Sequence, residues 1–251
     1  MDESPDLPVG DALRAIEAEL EEARADGDRE RLIALYRRGV RIARRDPLLA
    51  GVQAYMACAL GDLYAGAGDY RAAAEAYAKL APRPTPFPLL SRLGLVLLAF
   101  DPPQAEYVLS LALRSLPTDD ASDLRIHLEA GLVWAMALSG NVYEAVRLSR
   151  DVLSRLAGSA GGGLARTLMR GTLGMVLFYH GEREEAHPHL ESARAGWGAR
   201  GMEEGVLLMN RVLIGVPLEE VTTAWLPLVL RPLLDADAGA ASSYFNTMRS
   251  G

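Results

Sequence analysis

Apolar residues recur every three or four positions through most of the chain, and no clean run alternates with a period of two. That recurrence is the signature of helices with one buried face. Leu13, Ile16, Leu20 and Ala23 predict a helix over residues 11–26. Leu32, Leu35, Tyr36, Val40 and Ala43 predict a second over 29–45. The same spacing predicts helices over 48–67, 70–80 and 89–100, another from Pro102 to near Leu116, and then 122–138, 143–156, 164–180 and 183–195. A further helix fits 202–214. Beyond it Pro217, Pro227 and Pro232 are expected to cut the chain into short pieces, since proline lacks the amide proton a helix needs, with a last helix over 238–248.

The breaks between these segments are themselves regular. Gly27-Asp28, Gly68-Asp69, Asp101-Pro102, Gly140-Asn141 and Gly181-Glu182 are spaced by 41, 33, 39 and 41 residues. Each unit is then a helical hairpin that cannot bury its apolar face alone, so neighbouring hairpins must stack. The expected organisation is a disordered segment over 1–10, a repeat array over 11–200 and capping helices over 201–251. Two irregular stretches interrupt the array. Pro82 to Pro88 carries four prolines in seven residues, which favours a stiff extended connector or a ligand for a proline-reading domain. Gly158 to Gly163 reads as a loop within the array.

Composition narrows the function classes. The chain has 251 residues, half of them hydrophobic, and a net charge of −7. That balance argues against a chain that coats nucleic acid or an anionic membrane. A single cysteine, Cys58, excludes an internal disulfide. The acidic start has neither the basic residues nor the apolar run of a signal peptide, and no uncharged apolar stretch reaches the roughly 18 residues expected of a membrane span, so a cytoplasmic protein is expected.

Four clusters invite a chemical reading. His180, His187 and His189 lie among Glu182, Glu184, Glu185 and Glu191, but His187 and His189 point to different helix faces and Pro188 is expected near a helix start, so a polar outer face is preferred to a metal site. Asp119, Asp120 and Asp123 match an aspartate-rich magnesium motif, yet aspartates after Pro117-Thr118 also cap a helix start. Capping is preferred, because no second metal motif accompanies them. Arg37, Arg38, Arg41, Arg44 and Arg45 form a basic stripe, expected to pair with Glu17, Glu19, Glu21, Glu22 and Asp26 of the preceding helix rather than with phosphate. Cys58 sits in an apolar run and reads as a buried thiol. No nucleophile–histidine setting is recognisable, so no catalytic residue, cofactor or metal is expected.

The most specific pattern is Leu60-Gly61 and Tyr64, then Gly68-Asp69-Tyr70, then Ala73 and Tyr77. A weaker copy runs through Leu173-Gly174, Gly181, Ala186, Leu190 and Ala193, and Leu93-Gly94 with Leu97 keeps its first half. This pattern resembles the tetratricopeptide repeat (TPR) family over roughly residues 11–200. The resemblance implies an all-α, right-handed superhelical solenoid of five to six hairpins with an irregular C-terminal cap. It also implies a protein-binding scaffold whose first helices line a concave groove. Carried onto this chain, the lining would be Tyr55, Cys58 and Asp62, then Leu95 and Leu98, His127 and Trp134, and Met175, Phe178 and Tyr179. These are mostly apolar, which suits an amphipathic helix or apolar peptide better than a terminal carboxylate. A homodimer through an apolar end is open. Units near 40 residues also look like the helical-repeat sensor regions of bacterial transcription activators, so a small-molecule or peptide sensing domain is the alternative, with an all-α enzyme as a third reading.

Overall fold

A computed structural model describes residues 8–116, 123–157 and 163–249. Asp119 to Ser122 and Gly158 to Gly162, and most of the expected N-terminal segment, lie outside these. Among the described residues the fold is all-α, with no strand. Its contacts divide it into two units, Met1–Leu89 with Ala236–Gly251, and Leu90–Asp235.

The first unit contains α1 (Val9–Ala25), α2 (Arg29–Ala43), a 3-10 turn at Pro47–Leu49, α3 (Ala50–Gly66) and α4 (Tyr70–Lys79). Each helix packs on the next. The turns follow one recipe. Gly68 has φ +77°, a left-handed conformation that costs a Cβ-bearing residue energy. The amide of Asp69 then donates to the carbonyl of Tyr64, closing α3. The Asp69 carboxylate turns forward and accepts from the amide of Ala72, opening α4. One Gly-Asp pair thus ends one helix and starts the next. Asp28 repeats this after Gly27, accepting from Arg31.

Glycine at position 61 has a different cause. A Cβ there would lie 2.1 Å from the Tyr77 ring, so α3 and α4 approach closely only because none is present. Tyr77 is fully buried, and its hydroxyl donates to Asp62 at 2.6 Å.

The second unit holds α5 (Phe87–Leu97) from Leu90 onward, α6 (Pro102–Arg114), α7 (Asp123–Leu138), α8 (Val142–Ala157), α9 (Gly163–Tyr179), α10 (Arg183–Gly198), α11 (Glu203–Leu213) and α12 (Leu218–Arg249) as far as Asp235. The glycine-against-large-residue contact recurs at Gly94 with Leu109 and at Gly174 with Leu190. Counted from the turn at Gly140, the matching positions are Val133 and Ser149, both fully buried: large and small have changed sides. Glu129, 4 % exposed, ties the α7–α8 hairpin together through Arg125 at 3.1 Å and Arg155 at 2.7 Å.

Two sequence expectations about proline fail here. Pro188 lies inside α10 instead of marking or distorting its start. The expected break-up at Pro227 and Pro232 does not occur, because α12 runs unbroken over both. An interior proline costs about 3 kcal/mol. Against that, Val221, Trp225, Leu226, Leu228, Val229, Leu230 and Leu233 are all buried, each worth roughly 1.5–3 kcal/mol for a large side chain. Tertiary burial outweighs local propensity. Pro217 precedes the helix and accepts the Val221 amide with its carbonyl.

Candidate functional site

The first helix of each hairpin, α3, α5, α7 and α9, carries the residues expected to line a groove. Their surroundings differ between the two units.

In the first unit, α3 buries Val52, Met56, Ala57, Leu60 and Gly61 between α2 and α4, while Gly51, Ala54, Tyr55 and Asp62 keep some exposure. Those positions recur at threes and fours and so form one face. The face borders a cleft of about 360 Å³, walled by Ala50, Ala54, Tyr55 and Cys58 on one side and by Pro82, Pro84, Pro86 and Pro88 on the other. The proline-dense segment is therefore a wall of the cleft. Cys58, in no disulfide and 5 % exposed, is part of this lining. Tyr55 is held by α1 and α2: Arg24 donates to its hydroxyl at 3.0 Å and to the Tyr36 hydroxyl at 2.7 Å, and the Tyr36 and Tyr55 rings meet edge-on at 6.4 Å. Burial, chiefly, pushes the Tyr55 hydroxyl far above its ordinary pKa, so it stays protonated. Asp62 serves Tyr77 within the hairpin.

The basic stripe divides between two environments. Of the stripe, Arg38 pairs with Glu19 at 3.3 Å across the α1–α2 hairpin as expected, beside a pair between Glu22 and Arg31, which lies outside the stripe, at 2.9 Å. Arg37, Arg41 and Arg44 instead edge a second cleft of about 540 Å³, shared with Tyr64, Glu75 and Lys79 over a floor of Val40, Leu60 and Ala76. Arg37 donates to the Tyr64 hydroxyl at 2.7 Å, and Arg44 to the carbonyl of Lys79. Arg41 makes no ion pair among the described residues.

In the second unit the expected lining is covered. Leu95, Leu98, His127, Trp134 and Met175 are at most 2 % exposed. Helix α7 is buried at every position from Ile126 to Ala135. A helix buried all round has a neighbour on its inner side too, and the described contacts name one. Trp134 packs against Trp225 of α12 at 6.1 Å and donates through Nε1 to Thr222 at 3.2 Å. Phe178 and Tyr179 remain half-buried, with Arg183 over the Phe178 ring at 5.1 Å. His127 lies 2.6 Å from the Asp123 carbonyl, and burial holds its pKa below the ordinary value despite that hydrogen bond. Sequence reasoning missed Trp225, which packs on Trp134, Arg92, which donates to the Leu233 carbonyl, and Leu109, which meets Gly94. The only signal for the first was a Trp-Leu pair amid aliphatic residues at 225–230.

No set of three or more His, Cys, Asp or Glu among the described residues is placed to hold a metal ion. His187 is exposed and His189 half-buried. Among the described residues Pro47–Gly66 is the one helical stretch long and apolar enough to cross a membrane; much of it is the α3 core between α2 and α4.

Consecutive helical hairpins with glycine-sealed contacts define a TPR-like helical-repeat fold, and this chain has it. It is similar to a putative kinesin light chain of Podospora anserina with nearly identical TPR-like repeats, at 19 % identity and a TM-score of 0.59, over 78 % of this chain and 99 % of that one. It is also similar to BtubC (BKLC) from P. vanneervenii, at 18 % identity and a TM-score of 0.51, over 84 % of this chain and 92 % of that one. At these identities the likeness is one of fold. No protein-family model and no curated protein matches the sequence.

Proposed function

We propose that the chain is a non-enzymatic, cytoplasmic scaffold that binds a protein or peptide partner on the inner face of its hairpins. The observation that carries this is the cleft beside Tyr55 and Cys58, a largely apolar surface with Arg83 in its proline wall and with Tyr55 held in place by Arg24. A few convergent polar groups on an apolar wall orient a ligand without chemistry. An apolar peptide or the apolar side of an amphipathic helix fits such a surface, its anchor resting between Tyr55 and the prolines. The test is fluorescence polarisation of the full chain against labelled amphipathic-helix and apolar peptides. At least one class binds, and Ala54→Glu, which puts a charge into the cleft, weakens it at least tenfold with helicity unchanged. Binding that ignores Ala54→Glu, or no binding in any class, refutes the reading.

A second reading has its own observation. The basic-edged cleft of Arg37, Arg41, Arg44 and Lys79 has a volume within the range of small-ligand pockets, and its apolar floor suits an organic acid. A sensing domain for such a ligand would show thermal stabilisation by carboxylates or phosphates that Arg41→Gln removes. Stabilisation that persists in Arg41→Gln sinks it.

A further inference from the structure

The segment Leu218–Leu233 of α12 is bound to the second unit in a way ordinary core helices are not. Its contacts fall on three different first helices. Arg92 of α5, only 2 % exposed, donates to the main-chain carbonyl of Leu233 at 2.6 Å. Trp134 of α7 meets Trp225 and Thr222. Tyr179 of α9 donates its hydroxyl to the main-chain carbonyl of Val216, two residues before the helix and outside the segment itself. Side-chain donors thus grip the backbone carbonyl of Leu233 at one end of the segment and that of Val216 just ahead of its other end, and an aromatic anchor sits between them. Gripping the main chain at the ends and a tryptophan in the middle is how a groove holds a peptide, because carbonyls are present whatever the sequence.

The segment is also poorly suited to being a helix by itself. Pro227 lies in its middle and Pro232 near its end. Pro227 is exposed, so it contributes no burial in return. The helical form therefore depends on the groove, as expected of a ligand ordered on binding.

We infer that the inner face of α5, α7 and α9 is a groove for tryptophan-anchored amphipathic helices, and that Leu218–Leu233 is its resident ligand, held in cis. A partner helix with a tryptophan flanked by leucines enters by displacing it. This goes beyond the scaffold reading and does not depend on the Tyr55 cleft, since each surface can be tested with the other intact.

The probe is a labelled synthetic peptide of residues 218–233, added to the full chain. Wild type, with its groove filled, binds it weakly. Trp225→Ala loosens the resident helix and binds the peptide at least tenfold more tightly. Adding Trp134→Ala to Trp225→Ala removes the gain. Equal affinity of wild type and a folded Trp225→Ala overturns the inference. If Trp225→Ala loses its helicity, the decision passes to amide hydrogen exchange on the unaltered protein. Amides of 218–233 that exchange as one group, at least tenfold faster than those of α7 and α9, support it. Exchange of all three at a common rate shows a core helix that opens only with the unit and overturns it.

Discussion

Gly61 and Gly68 lie seven residues apart and are glycine for unrelated reasons, which substitutions separate. At Gly61 alanine would gain about 1 kcal/mol of helix propensity. Its Cβ would meet a fully buried tyrosine ring, and overpacking of that kind costs roughly 1–3 kcal/mol, so Gly61→Ala destabilises. At Gly68 nothing lies within 4 Å and only the backbone sign matters. Gly68→Asn is therefore tolerated within about 1 kcal/mol, since asparagine enters the left-handed region most readily after glycine. Urea unfolding of the two variants checks both. His127 supplies a residue-scale prediction in pH. Its folded pKa is lowered, so below about 6.5 the unfolded chain binds a proton that the folded chain refuses. Stability therefore falls as pH drops through that window. His127→Gln should lose less stability than wild type between pH 7.5 and 5.5 in thermal melts; parallel curves would contradict it. His189, also lowered mainly by burial, leaves a residual slope of the same sign in that variant.

Among the elements, the first and second helices of a hairpin divide the work. Helix α8 buries only Ala145, Ser149, Val152 and Leu156, a single stripe, whereas α7 is buried on every side. Glu129 joins the two helices from within. Glu129→Ala would leave Arg125, its side chain 15 % exposed, without that carboxylate, and breaking a buried pair costs roughly 3 kcal/mol. Chemical denaturation should show a lower midpoint of that order. The hairpins and their turns were legible in the sequence because Gly-Asp pairs act locally, on the residues beside them. The close contact of Gly94 with Leu109 was not, since the register of the second helix depends on the approach itself. Helix α12 was least legible. Proline rules are local, and what overrides them here is burial of Trp225 and its neighbours against residues some 90 positions earlier, Trp134 among them, 88 positions before Thr222. The arginine stripe was legible in part: Arg38 finds Glu19 one turn of chain away, but Arg41 and Arg44 face residues of the next hairpin that helical periodicity does not place beside them.

For the whole molecule, function follows from which inner faces stay open. Stacking of hairpins covers some first-helix faces and leaves others uncovered. Here α3 keeps a partly exposed apolar face beside the proline wall, and α7 does not. The candidate groove residues accordingly fall into two sets. Tyr55 and Cys58 border open space; Trp134, His127 and Met175 are sealed. Cys58 is the chain's single cysteine, so a thiol reagent reads that first surface with no background. The most direct test is the rate at which Cys58 reacts with a small maleimide, with and without a peptide selected for binding. Slow but measurable labelling of the free protein is expected, slowed at least tenfold by saturating peptide. A peptide that binds and leaves the Cys58 rate unchanged would contradict it.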